Sequence, residues 1–254
     1  MFRVFHAEIM KLRKTKIYWL VLLGVLPACL VSSMALLPKI SSDGTPIDLD
    51  MQEMFYHQGM VLSVFGPALF ALITGYVVAR EYQERTINQL FSYPTSRTIF
   101  LIAKLLVVLS LIVITVALPF VFAIGSTLLI RHTLDIPVLW LGMKMNIMIC
   151  VLSFGAIPTA AALSMVGKSI MPNAVLGVIV SLFAGISEAK HSMSSILFPW
   201  LTPYWPVRDL AQDIAQSGPN PYVIPALTIL ILTFIISLIF CIVYYNRADV
   251  HSGT

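Results

Sequence analysis

Six long apolar runs, separated by polar segments, set the pattern of this 254-residue chain. They lie near Ile17–Leu37, Val61–Val78, Ile99–Phe122, Trp140–Val166, Ile170–Ser187 and Val223–Tyr245. A helix needs about 20 apolar residues to cross about 30 Å of hydrocarbon, and these runs are of that length. The third stays apolar as far as Ile130, which allows tilt or extension beyond the membrane. Helices satisfy their own backbone groups in lipid, whereas a barrel needs short alternating segments, which are absent. The pattern predicts an all-α integral membrane fold with six transmembrane helices.

The polar segments carry periodicity of their own. Phe2, Phe5, Ile9 and Leu12 are spaced by three, four and three and share one helical face. Arg3, Lys11, Arg13, Lys14 and Lys16 fall mostly elsewhere. This reads as an amphipathic helix along the inner leaflet, cations toward anionic headgroups, or as a basic flank that orients the first span. A signal peptide is the other reading of this region, but its apolar part is too long and no small-residue cleavage site follows.

Between the second and third runs stands REYQERTINQLFSYPTSR, Arg80–Arg97. Glu81 and Arg85 are four apart, the favourable order for a helical ion pair. Ile87, Leu90 and Phe91 form a short apolar edge. Tyr93-Pro94 ends the helix, because the residue before proline is pushed out of the helical region, and Thr95 or Ser96 caps the next one. A plain connection needs only a few residues. A charged amphipathic helix held here points to a docked partner.

Composition sharpens the class. The chain is 58% hydrophobic and only 11% charged, against about 25% charged in soluble domains. The formal net charge of +4 therefore reads as positive cytoplasmic loops and not as a nucleic-acid surface. Lys and Arg concentrate in the N-terminus, in the segment after span two, at Lys168 and at Arg247, which predicts that both termini are cytoplasmic. Tyr18, Trp19, Trp140, Trp200, Tyr204, Trp205, Tyr244 and Tyr245 near span ends suit an aromatic belt. Lys104 and Lys144 fall a few residues inside runs, where they snorkel to an interface or, less simply, meet a substrate. Cys29, Cys150 and Cys241 lie in apolar runs without a CxxC partner, so neither a disulfide framework nor a metal site is expected.

The pattern RE-x-x-x-x-T-x-x-x-L-x-x-x-P-x-S-R, followed by an apolar run with Lys104 near its start, resembles type-2 ABC exporter permeases. Six spans, an amphipathic N-terminal helix and a long segment before the last span extend the resemblance over nearly the whole chain. Its wording in the first hundred residues is most similar to lantibiotic-immunity and bacitracin-exporter permeases. The resemblance implies one transmembrane domain over 1–254. Within it, 1–16 would be an elbow helix, 17–78 spans one and two, and 79–98 a coupling loop. Spans three to five would occupy 99–187, an extracellular or re-entrant segment 188–222, and span six 223–245. It also implies that Arg80, Glu81, Tyr82, Glu84, Arg85, Thr86 and Leu90 contact a separate P-loop ATPase, while Tyr93, Pro94 and Arg97 close the loop. A second permease chain, identical or paralogous, and membrane lipids would complete the partners. Within 188–222, Ile196, Phe198 and Trp200 would form an outer gate.

No P-loop motif is present, so ATP binding by that means is not expected of this chain. Gly167-Lys168-Ser169 approaches a P-loop, but Ala162 stands where the motif needs glycine. No cofactor is expected on this chain, with ATP and magnesium on the partner. No Asp or Glu lies well inside a run, which argues against a proton-driven carrier. HExxH and GxSxG are absent, which argues against intramembrane hydrolysis. A sodium-coupled carrier and a non-transporting membrane scaffold or sensor remain the alternatives. Gly66-Pro67 and Pro158 mark either hinges along a substrate path or ordinary packing of kinked helices. The acidic loop Pro38–Met60 is a solvated loop or a surface for a cationic peptide.

Overall fold

The computed structural model describes residues 1–13, 15–34, 39–40, 46–47, 51–84, 86, 96–131, 134–190, 192–214 and 220–247. In chain order the helices are α1 (Phe2–Arg13), α2 (Ile17–Met34), α3 (Met51–Gln83), α4 (Arg97–Arg131), α5 (Ile136–Gly167), α6 (Met171–Ala189), α7 (Trp205–Ile214) and α8 (Val223–Arg247). A two-residue antiparallel pairing, β1 (Lys39–Ile40) with β2 (Pro46–Ile47), lies between α2 and α3. Two short 3₁₀ turns, Met193–Leu197 and Thr202–Tyr204, precede α7.

Six of these helices, α2 to α6 and α8, are long and apolar enough to cross a membrane. The sequence runs located all six, but three of them extend well beyond the runs. α3, α4 and α5 contain 33, 35 and 32 residues, or about 50 Å at 1.5 Å per residue. They outreach the hydrocarbon and project into the interfacial layers. α3 starts ten residues before its apolar run because Gln52, Glu53, His57 and Gln58 hide its beginning from hydropathy. Its first turns are nonetheless held, with Gln58 buried and donating to Asn146 of α5 at 3.2 Å.

α3 is the central element. It packs against α2, α4, α5 and α6, and 67% of its most apolar window is buried within the protein, against 17% for α8. Close approach explains part of this. A Cβ on Gly177 of α6 would lie 2.7 Å from Cα of Ala68 on α3, so only glycine lets these backbones meet. Asn173 fastens the same interface, its amide donating to the Ala71 carbonyl at 3.1 Å and to Ser164 Oγ of α5 at 2.8 Å. The apolar faces left open on α2, α6 and α8 are ordinary for helices whose solvent is lipid.

Gly167 ends α5 and Lys168 takes a left-handed φ of 47°, turning the chain into α6. The near-miss P-loop is thus a tight turn between two apolar helices.

The expected aromatic belt needs correction. Trp19 and Trp140 are well exposed, as a belt requires, but Trp200, Tyr204 and Tyr245 are buried inside the protein. Hydropathy places an aromatic residue near a span end without telling whether it faces lipid or a neighbouring helix.

Candidate functional site

Four charged side chains meet at the end of the bundle where α1, the last turns of α3 and the first turns of α4 converge. Lys104 Nζ of α4 lies 3.0 Å from Glu8 Oε2 of α1 and 2.9 Å from Glu81 Oε1 of α3. Lys11 Nζ of α1 lies 2.6 Å from Glu8 Oε1 and 3.1 Å from Glu81 Oε1. Two carboxylates and two ammonium groups therefore alternate around a closed, neutral ring. Lys104, Glu8 and Glu81 are 2%, 5% and 6% exposed, so three members are shut from solvent and Lys11 forms the outer edge. An unpaired charge at such depth is costly, and mutual pairing is what makes the burial tolerable. Lys104 does not snorkel to an interface, as its position in the run had suggested; it turns inward to two carboxylates.

The electrostatics of the α1 members follow from this geometry. Burial pushes the Glu8 carboxyl upward, but the ammonium groups of Lys104 and Lys11 outweigh it and hold its pKa below the usual carboxylate value. Burial pushes Lys11 downward, but the hydrogen bond to Glu8 and the charge of Glu81 hold its pKa above the ordinary lysine value.

The segment that follows α3 is anchored to this ring. Arg80 Nε donates to Glu84 Oε1 at 2.7 Å, and its Nη1 to the Lys11 carbonyl at 3.4 Å. The N–H of Thr86 donates to the Glu81 carbonyl at 3.1 Å. Glu84 is exposed, Thr86 and Tyr82 are half-buried, and the Tyr82 hydroxyl is buried with no partner among the described residues. Of the two acids expected to meet a partner, only Glu84 faces outward; Glu81 is turned in to the ring. Arg85, Leu90, Tyr93 and Pro94 lie outside the described residues. At the other side of the gap, Arg97 Nη1 donates to the carbonyls of Asn246 at 3.1 Å and Tyr245 at 3.4 Å. The start of α4 is thereby pinned to the end of α8.

Among the four residues predicted to form the apolar face of α1, Leu12 is buried, Phe5 and Ile9 pack partly against the core, and Phe2 is exposed. The face predicted from spacing is real for three of them. It also carries Glu8, three residues after Phe5 and four before Leu12.

A second constellation lies against the middle of α3 and the later half of α5. Ile196 and Trp200 are buried, while Phe198 is exposed. Trp200 Nε1 donates to Thr159 Oγ1 at 3.0 Å, one residue after Pro158. The Pro158 carbonyl accepts from Cys241 Sγ of α8 at 3.4 Å. Tyr204, expected in the aromatic belt, is instead buried with its hydroxyl against Gly66, and a methyl at that glycine would overlap it. The segment before α8 thus touches α3 beside Pro67 and α5 beside Pro158. Arg208 of α7 closes the segment on itself. Its Nε and Nη2 donate to Glu188 Oε1 at 3.0 and 2.9 Å, and its Nη1 donates to the Ser192 carbonyl at 2.9 Å and to Ser195 Oγ.

The comparisons with known proteins agree with this architecture. The family model described as ABC-2 family transporter protein matches residues 4–187. The bacitracin transport permease protein BCRB of Bacillus licheniformis is 25% identical over 192 residues, which is 75% of this chain and 88% of that protein. Permeases of this family are the transmembrane subunits of transporters whose ATP-binding subunit is a separate partner. With its six apolar helices and a family match over most of its length, this multi-pass membrane protein belongs to the ABC-2 family of transporter permeases.

Proposed function

We propose that the chain is the membrane half of an ATP-driven exporter that moves an amphipathic or hydrophobic molecule outward, a peptide antibiotic or a lipid-like compound. A P-loop ATPase carrying ATP and magnesium docks on the cytoplasmic segment 79–98, with Glu84 and Thr86 at the contact. Two permease chains form the working unit, and both termini face the cytoplasm.

The observation that carries the reading is the four-charge ring. It clamps the two helices that flank segment 79–98, α3 and α4, to each other and to α1. Buried ion pairs add little net stability, but they fix one geometry. A push received at the segment is delivered to α3 and α4 as one body, with α1 serving as an elbow along the membrane. From there it reaches Gly66 on α3, where the Tyr204 hydroxyl rests, while Trp200 of the outer gate rests on Thr159 of α5. Few charges line the spans, which suits an apolar or amphipathic cargo better than an ion. The likeness to a bacitracin transport permease supports a peptide antibiotic as cargo.

ATP-dependent accumulation of labelled bacitracin in inside-out vesicles, with the permease and its ATPase coexpressed, tests the direction and the cargo together. Uptake that needs ATP and disappears without the permease supports the reading. Vesicles that take up no labelled peptide, or that take it up without ATP, contradict it.

A further inference from the structure

α6 is a peripheral span. Only 22% of its most apolar window is buried within the protein, and Val175, Val178, Leu182 and Phe183 are exposed. Its main support is α3. Asn173 stands against Gly75 and Gly177 against Ala68, so the two helices run antiparallel along one close seam. Lipid gives two apolar helices no hydrophobic reason to stay together, so close packing and hydrogen bonds hold them. Asn173 supplies the hydrogen bonds. It is wholly buried, and its Nδ2 donates to the Ala71 carbonyl of α3 at 3.1 Å and to Ser164 Oγ of α5 at 2.8 Å. Gly75 makes room for it, since a Cβ there would stand 3.0 Å from Asn173 Cβ and Nδ2.

The other half of the amide is unsatisfied. Asn173 Oδ1 is buried with no hydrogen-bond partner among the described residues. A buried acceptor left open costs stability, and an apolar side chain of similar shape avoids that cost. Stability alone therefore does not account for an asparagine here. What its donors fix is position. One holds the main chain of α3, and the other holds Ser164, which sets the orientation of the amide. The structure assigns Asn173 the role of a positioning residue that makes α6 follow α3. The assignment rests on the transport reading, in which α3 receives the push at segment 79–98. On α3, Ala71 lies between Glu81 of the charged ring and Gly66 beneath Tyr204. A displacement of α3 passes the Asn173 seam on its way to Gly66, and the seam hands it to α6.

The complex of the permease with its ATPase, in a background lacking the native cysteines, tests it. A bimane label on Met171→Cys, an exposed position at the start of α6, reports movement of α6 when ATP and vanadate are added. Uptake of labelled bacitracin into inside-out vesicles reports transport. With Asn173 in place the emission shifts. In Asn173→Leu the shift vanishes and uptake falls about tenfold, the worth of a lost interhelical hydrogen bond. Gly75→Cys with Asn173→Cys guards against a misfolded variant. A disulfide needs Cβ atoms about 3.5–4.5 Å apart, and a small adjustment brings this pair to that spacing. Reduced, the pair behaves as Asn173→Leu; oxidised, it replaces the hold of the amide and uptake returns. An equal shift with Asn173 and with Asn173→Leu overturns the proposal alone, as does an oxidised pair that restores no uptake. No shift with Asn173 in place overturns it together with the transport reading. A shift that is lost in Asn173→Leu, with no bacitracin uptake by either protein, supports the seam and removes only the cargo.

Discussion

Lys104 of α4 and Glu81 of α3 meet at 2.9 Å with both side chains shut from solvent, so the two helices that flank the charged segment share one buried ion pair. Glu8 and Lys11 of α1 close the ring around it. Removing one member leaves a net charge at a site that water cannot reach.

Lys104→Met therefore costs about 3–5 kcal/mol, the penalty for breaking a buried pair from one side. Adding Glu81→Gln restores neutrality, with Glu8 and Lys11 still paired, and recovers part of the loss. Thermal unfolding of the single and double variants in detergent measures this. Strict additivity of the two substitutions contradicts the ring, since contacting charges couple.

The ring also sets a pH range for the docking of α1. Glu8 has a lowered folded pKa, so its contribution is present above the unfolded value of about 4.3 and is lost as pH falls through the lower folded value. Lys11 has a raised folded pKa, so its contribution is present below about 10.4 and is lost as pH rises through the higher folded value. Docking is flat across neutral pH and weakens at both extremes. Leu12→Cys in a background lacking the native cysteines reports it. Thiol labelling, divided at each pH by the rate for the same thiol in the denatured protein because only the thiolate reacts, stays slow from about pH 5 to 10 and quickens on either side of that range. Rapid labelling at neutral pH contradicts a docked α1.

Gly66→Ala forces a methyl into the Tyr204 hydroxyl, and Tyr204 is 1% exposed with little room to retreat. Overpacking of this kind costs about 1–3 kcal/mol. Tyr204→Phe removes the overlapping oxygen and rescues most of the loss. Unfolding temperatures of the two single variants and the double variant decide the matter. A harmless Gly66→Ala breaks the link between the segment before α8 and α3.

Arg208 holds Glu188, Ser192 and Ser195 together. Arg208→Ala leaves Glu188 without its fork of donors, and Arg208→Lys cannot rebuild a planar fork. Both variants are expected to speed limited proteolysis within 188–222 several-fold, while the spans stay resistant. Unchanged cleavage in both contradicts the clasp.

The spans were readable from sequence because lipid demands long apolar runs, and α1 because three of the four residues on its predicted apolar face do pack against the protein. Ends were less readable. The first turns of α3 are polar in composition yet buried by partners, such as Asn146 for Gln58, that lie far away in sequence. The ring was missed for the same reason. Lys104 alone reads as a charge near a span end, and only Glu8 and Glu81 reveal why it is inside. One local signal was available: Glu8 stands on the apolar face of α1, between Phe5 and Leu12, where a solvated acid has no reason to be. The meeting of Tyr204 with Gly66 left no such trace, since contact between distant segments has no period.

The most direct measurement of the coupling claim is retention of the ATPase subunit by the tagged permease in mild detergent, paired with ATPase activity after reconstitution. The account predicts that Glu84→Ala with Arg85→Ala loses the ATPase subunit from the complex. It predicts that Lys104→Met with Glu81→Gln keeps the subunit but loses stimulation of ATP hydrolysis by cargo. Full retention and full stimulation in both double variants would contradict the claim that segment 79–98 receives the partner and that the charged ring passes on its motion.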